Sequence, residues 1–405
     1  MDATYERFLN EQFKDKLPLK YDDKNKEFYE YIVEYLQNYQ DRVNNLGILS
    51  NRQSFNLHNL ILGIFDALEQ YYKGQPSRAY NALEGGLKYI SSYLRILSDS
   101  TVNDQNLFRI RVSNNADSHT FDYKEMFHIP FNKRHLVSSQ RFSIPGLPAI
   151  YLGSSLYVCW EELGRPNFKN IKASLFKYHK TSAHKIINLG ISHRELKAAI
   201  ENHKTLGAAT NKLDARSIFA AYCIVWPLIA ACSVKVKEKG ASFKPEYIIP
   251  QLLSQYVASD KRDTEEDFIG IVYLSASGAY YNENNQELFC NYFFPVQEKQ
   301  LEGYCLQLRN TFKLTKGIPW QLFEIYNSAA EDNLYTIDTI YADHKSDLQL
   351  IFDEVGNNIQ IPYKRTDFGK FETFLEQKIK VNSLDFTKTA NVTNMARRAN
   401  PKVQK

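Results

Sequence analysis

Glycine and proline are scarce in these 405 residues, 17 and 13 in number, which excludes collagen-like, low-complexity and linker-dominated architectures. Cysteine is scarcer still. The five (Cys159, Cys223, Cys232, Cys290, Cys305) are odd in number, and no pair at two-residue spacing is followed by a second pair or a histidine cluster. Neither a disulfide framework nor a structural zinc is expected, and the histidines, scattered singly, give no metal ligand set. An excess of one charge is also missing: 50 Lys+Arg against 46 Asp+Glu leave +4, too little to argue for nucleic acid or an anionic membrane. The opening MDATYERF reaches charged side chains at once, without an apolar stretch or a small-residue cleavage site. No export signal is expected, and the cytoplasm is the expected location.

Long hydrophobic runs are absent with one exception. Ser217 to Val234 carries no charge between Arg216 and Lys235, which reaches the lower length limit for a spanning helix. Pro227 in its middle, its small and hydroxyl residues, dense charge on either side and the lack of a second such run favour a buried core helix. What the chain does have is 43% hydrophobic and 14% aromatic residues, enough for a sizeable core in two or three domains.

From Tyr5 to Leu97 the apolar residues recur at helical spacing (Phe28, Tyr31, Ile32, Tyr35, Leu36 and Tyr39 are one series), predicting four or five amphipathic helices. Ser77 is a candidate N-cap for the run Tyr80, Leu83, Leu87, Ile90, and the pair Gly85 and Gly86 is expected to weaken or kink that helix. At Leu107 the texture changes to the short alternating FRIRV, and strands and helices mix from there. AIYLG reads as a strand running into Ser154 and Ser155, which can cap a helix from Leu156 to Leu163 with Leu156, Trp160 and Leu163 on its packed face. Helices are expected from Ile191 to Asn202 and from Tyr247 to Ala258. FIGIVYLSAS and ELFCNYFFPV read as two adjacent strands separated by the polar turn Tyr281 to Gln286.

Beyond Val296 the pattern is vaguer. Trp320 to Tyr326 is strand-like or helical, a strand pair spans Asp347 to Ile361, and Phe368 to Ile379 carries a helical stripe. From Lys388 to Lys405 only basic charges occur, as in a solvated tail. The expected division is therefore 1–105 helical, 107–296 an α/β core, 297–384 an accessory region and 385–405 a basic tail. The fold class is α+β.

No Walker loop, no G-x-G-x-x-G after a strand, no G-x-S-x-G elbow and no H-E-x-x-H is present, which removes the common nucleotide-binding and hydrolase classes. The unusual stretch runs from Arg134 to Arg165. In it Arg141 (RFSIPG), Tyr151 (AIYLG) and Glu162 (CWEEL) follow one another at spacings of ten and eleven residues, and Ser275 comes later in VYLSAS. In this order the set resembles the RES domain family, whose motif is an Arg in a short Gly/Pro-containing turn, a strand ending in Tyr, a helix carrying Glu, and a later strand with Tyr-x-Ser. The opening FRIR is similar to that family's first strand, which makes Arg109 and Arg111 further candidates. The resemblance covers about 107–296, and the long form seen here adds the helical region, an insertion between Glu162 and Ser275, and the extension after Val296.

The resemblance implies an ADP-ribosyltransferase-like core that cleaves the nicotinamide–ribose bond of NAD by hydrolysis, phosphorolysis or ADP-ribosyl transfer, in proteins resembling growth-arresting or defence toxins. NAD is then a substrate, and no cofactor or metal is called for. Cleavage passes through a ribosyl oxocarbenium ion, as glycoside hydrolysis does. An ionised Glu162 suits the developing cation. Arg141, with Arg109 or Arg111 as a second contact, suits the pyrophosphate. Tyr151 can stack on nicotinamide, and Ser275 can orient Glu162 or the ribose. Glu161 competes with Glu162, but the adjacent helix position points about 100° away. Cys159 is expected to pack rather than attack.

Each residue alone has an ordinary explanation as a surface ion pair, a core ring or a cap. Two alternatives stay open beside NAD cleavage: transfer of ADP-ribose to a macromolecule, and a non-catalytic interaction protein with a relic nucleotide-binding core. The helical region is expected to gate access, to self-associate or to bind a neutralising partner. Membrane association and nucleic-acid binding are not expected.

Overall fold

The structure is a computed structural model that describes residues 8, 17–21, 26–100, 106–113, 120–178, 185–191, 196–199, 215–259, 268–276, 285–298, 300–331, 349–354 and 357–382. In chain order its elements are α1 (Phe28–Asn45), α2 (Asn51–Tyr72), α3 (Pro76–Ser100), β1 (Asn106–Val112), α4 (Tyr123–Met126), β2 (Ala149–Gly153) and α5 (Leu156–Glu162). Then come β3 (Ile171–Tyr178), β4 (Lys185–Leu189), α6 (Ala215–Cys232), α7 (Ile248–Ala258), β5 (Phe268–Leu274), β6 (Cys290–Pro295) and α8 (Leu306–Thr311). The last are β7 (Phe312–Leu314), β8 (Ile318–Pro319), α9 (Trp320–Glu331), β9 (Gln349–Glu354), β10 (Asn357–Pro362) and α10 (Asp367–Asn382). A helical region followed by a mixed sheet with helices makes this an α+β protein.

The chain packs as two compact units, each drawn from three stretches: Met1–Val102, Arg134–Ala149 and Ser182–Gln297 in the first, Asn103–Lys133, Ile150–Thr181 and Glu298–Lys405 in the second.

In the first unit α1 buries Phe28, Ile32, Leu36, Tyr39 and Val43, one stripe at helical spacing. A reciprocal cap between Ser50 and Gln53 starts α2. One expectation for α3 fails. The helix begins at Pro76, with the Gln75 carbonyl accepting from Ala79 N–H, so Ser77 lies inside the first turn and does not cap. The helix runs unbroken through Gly85 and Gly86. Gly86 is where α2 crosses: a Cβ on Gly63 would sit 3.0 Å from the Ala82 oxygen and the Gly86 Cα. The glycine allows this close helix contact.

Before Leu97 the described residues hold three long helices, with the helical Phe8 besides, against the four or five expected. α6 is the predicted core helix. Ile218 through Cys232 are all buried, Pro227 included, and Tyr39 Oη donates to the Cys223 carbonyl at 2.7 Å. No described helix is long and apolar enough to cross a membrane. The strands of this unit are β4, β5 and β6. β4 runs parallel to β5, joined through the crossover that contains α6 and α7, and β6 pairs antiparallel with β5, Tyr273 opposite Asn291. Every residue of β5 and β6 is buried, so they read in sequence as apolar runs without alternation.

In the second unit β2, β1, β3 and β7 form an antiparallel series, with β8 also on β3. The stretch after Val296 therefore contributes β7 and β8 to this sheet, and α9 and α10 join its core. Rings from three parts of the chain stack there: Trp160 on Phe168 at 5.3 Å, Phe168 on Trp320 at 4.5 Å, and Phe323 on Phe371 at 4.6 Å. The strand pair expected at 347–361 is β9 with β10. Trp320 to Tyr326 is helical, the ambiguity resolved by its buried aromatic face.

The helix after AIYLG, α5, is buried differently than predicted. Leu156, Tyr157, Val158 and Cys159 are all buried while Leu163 is 45% exposed, because two turns wedged among neighbours bury consecutive residues rather than one stripe. Gly164, at φ 75°, ends it. Of the helix expected at 191–202, Leu196–Ala199 is helical and the rest lies outside the described residues, as do most of the 281–286 turn and the basic tail.

Candidate functional site

The turn that carries Arg141 is held from both sides. Gln140 and Ser143 exchange backbone hydrogen bonds, and Gln251 of α7 donates its amide to the Ser139 hydroxyl and to the carbonyls of Gln140 and Ser143 at 2.9 to 3.1 Å. The fully buried Phe142 lays its ring 4.5 Å from Tyr273 and 5.8 Å from Phe293. Side chains two apart on a strand share a face, so Tyr273, Ser275 and the ring of Phe142 lie on one side of β5. Ser275 is fully buried, and its N–H donates to the Phe289 carbonyl at 2.8 Å.

Arg141 itself is half-buried. Its guanidinium donates to the carbonyls of Cys232 (3.2 Å) and Val234 (2.9 Å) and lies over the Tyr247 ring, 5.4 Å from the centroid. It thus serves the carbonyl end of α6, where a cation is favoured. The intervening Ser233 carbonyl takes the N–H of Leu19 at 2.9 Å, and Lys235 N–H returns to the Leu19 carbonyl. Arg141 and the segment around Leu19 are braced on the same four residues.

In the second unit Tyr151, half-buried, sits mid-strand in β2, two residues before Gly153. A Cβ on Gly153 would sit 2.6 Å from Cys159 Sγ and from Val158, so glycine lets the strand turn closely into α5. Ser155 caps the helix as predicted, its hydroxyl accepting from Val158 N–H at 3.0 Å. Cys159 Sγ donates to the Phe108 carbonyl at 3.2 Å, and burial first, then the Glu372 carboxylate, push its thiol up to about 12. A thiol so held is packing, not a nucleophile.

The two adjacent carboxylates part ways. Glu161 is buried and meets Arg165 in a two-pronged pair, 2.9 and 3.0 Å, with the guanidinium also over Trp160. Glu162 is exposed on the last turn.

Arg109 and Arg111 lie elsewhere on the same sheet. Phe108 stands opposite Gly153, so Tyr151 shares Phe108's face, and strand alternation turns Arg109 and Arg111 to the other. There they donate to the carbonyls of Phe127 (3.1 Å) and Glu125. Burial first and the charge of Arg111 second pull Arg109 down to about 10, still protonated at neutral pH. Lys172, cross-strand from Arg111, is buried with its ammonium 4.0 Å from the Phe121 ring centroid.

Of the predicted residues, then, Arg141 and Ser275 belong to the first unit, where Phe142 relates them through one face of β5. Arg109, Arg111, Tyr151 and Glu162 belong to the second. Among the described residues no group of three or more His, Cys, Asp or Glu could hold a metal. Sequence reading missed Gln251, Lys172, Tyr363 and Glu372; their neighbours in space are far away in the chain, and no local pattern marks them.

Over 305 residues the chain is 34% identical to the protein named "Putative toxin YopC" of Bacillus subtilis (strain 168), an alignment covering 72% of this chain and 66% of that relative. No protein-family profile matches the chain, and no solved structure does. The chain spans just under two thirds of that relative's length.

Proposed function

We propose, from the resemblance to the RES domain family and the similarity to a protein named a putative toxin, that the protein cleaves the nicotinamide–ribose bond of NAD and that loss of NAD arrests growth. The residue set resembling the RES domain family motivates the chemistry. The observation that supports it further is on α5: Glu161 is buried in a pair with Arg165, while Glu162 is exposed on the same helix, which follows Tyr151.

In this reading Glu162 stabilises the ribosyl cation as the bond to nicotinamide breaks, a preorganised electrostatic effect of about 3 to 4 kcal/mol. Tyr151 supplies a ring face for nicotinamide and a hydroxyl for a ribose oxygen. Roles for Arg141 at the pyrophosphate and for Ser275 at the ribose rest on the resemblance to the RES domain family alone. A carboxylate and a guanidinium suffice for this chemistry, and NAD is the substrate rather than a resident group.

The test is incubation of purified protein with NAD, with nicotinamide release followed by chromatography. Glu162→Gln, which keeps shape and loses charge, is expected to lower kcat about 10²- to 10³-fold. Activity equal to the parent's would overturn the assignment. Labelled NAD identifies the acceptor: free ADP-ribose marks water, a phosphate-dependent product marks phosphorolysis, and label on macromolecules marks ADP-ribosyl transfer.

A further inference from the structure

Helix α5 has only two turns, and its first N–H groups need acceptors from outside the helix. Ser155 supplies one locally. The acceptor for Leu156 N–H comes from 216 residues further along: Glu372 Oε1, on α10, at 2.7 Å. The same oxygen accepts from Tyr363 Oη at 2.6 Å, and the Ser155 hydroxyl hydrogen-bonds to Tyr363 in turn. Glu372 is 5% exposed and Tyr363 is fully buried.

The presentation of Glu372 is itself fixed. Thr366 caps α10, donating its hydroxyl to the Tyr363 carbonyl at 2.6 Å and accepting from Gly369 N–H at 3.2 Å. A Cβ on Gly369 would sit 2.3 Å from the Tyr363 oxygen, so only glycine lets α10 close onto the turn that carries Tyr363. Phe368 then packs against Tyr157 and Trp160, the aromatic residues of α5.

A buried carboxylate is costly unless hydrogen-bonded. Here it meets the positive end of a helix. We infer that Glu372, oriented by Tyr363, is a positioning residue that sets the axis of α5 and through it the place of Glu162 at the far end. The inference rests on the reading of Glu162 given above. Seven residues of helix span about 10 Å, so a tilt at the first turn is carried to the last. Misplacement of a reacting group by about 1 Å can cost about 10²-fold.

The experiment compares the parent with Glu372→Ala, Glu372→Gln and Tyr363→Phe, measuring kcat and KM for NAD together with amide hydrogen exchange at Leu156–Val158. Glu372→Ala is expected to lower kcat about 10- to 100-fold, with KM within about twofold, and to speed exchange at Leu156. Glu372→Gln keeps an oxygen where Oε1 stands and is expected to restore most of the rate. If Glu372→Ala does not fold, Tyr363→Phe, which keeps the packing and removes one donor, is expected to show a smaller change in the same direction.

Faster exchange with kcat unchanged would overturn the positioning role, as would equal loss in the Gln variant. A parent that leaves NAD intact would overturn the proposed function instead, and the exchange at Leu156 would still decide whether Glu372 holds α5.

Discussion

Phe142 rests its ring 4.5 Å from that of Tyr273, and with Phe293 behind it this pair fixes the turn in which Arg141 stands. Truncation of Phe142 to Ala removes a fully buried ring and leaves a cavity, with an expected cost of about 3 to 5 kcal/mol in urea unfolding. A loss below 1 kcal/mol would show that the turn is not anchored there.

Arg141 has a structural duty as well as a proposed catalytic one. Arg141→Lys, which has no planar fork to span the Cys232 and Val234 carbonyls, is expected to lower stability by about 1 to 2 kcal/mol. Urea midpoints of the two proteins measure this directly. Any activity lost in Arg141 variants has to be compared at equal folded fraction.

The helix contact in the first unit gives an asymmetric pair. Gly63→Ala pushes a methyl group onto backbone atoms 3.0 Å away and is expected to cost about 1 to 3 kcal/mol. Gly85→Ala meets open space and is expected to raise stability by about 0.5 to 1 kcal/mol. Thermal melts giving both changes the same sign would contradict the crossing at Gly63 and Gly86.

Cys159, pushed up to about 12, is expected to resist alkylation by iodoacetamide at pH 8 in the folded protein and to react fully once unfolded. Mass spectrometry of the labelled peptides reads both states. Cys159→Ala is expected to retain NAD cleavage, since the thiol is bonded to the Phe108 carbonyl.

High pH is the weak side. Burial pushes Tyr72 and Tyr178 up to about 12 and holds Tyr39 and Tyr363 well above the ordinary range. An unfolded tyrosine ionises near pH 10. Between about pH 10 and 12 the unfolded chain therefore binds fewer protons, so stability is full below pH 10 and falls as pH rises through 12. Urea midpoints from pH 8 to 11.5 are expected to be flat and then to drop, with part of the tyrosinate absorbance appearing only on unfolding.

Much of the fold was legible because the local signals were unopposed. Ser155 caps where an N-cap precedes an apolar run, FRIRV and AIYLG are strands, and the uncharged run around Trp226 is a core helix. Reading failed where a residue answers to a distant partner. The close crossing of α2 at Gly86 has no mark in the local sequence, and Leu163 looks packed until α5 is found buried on other sides. At the candidate site the order of the residue types along the chain could be read, but that Glu161 is the buried member of the pair and Glu162 the exposed one could not. That Arg141 braces the end of α6, and that Arg109 and Arg111 face away from Tyr151, depended on pairings that no spacing encodes.

The acceptor for the first turn of α5 lies 216 residues downstream of it. A ribosome that has already released Arg141, Tyr151, Glu162 and Ser275 has still to make Tyr363 and Glu372. Synthesis interrupted in that interval yields a polypeptide with the whole proposed reactive set and an unfinished scaffold.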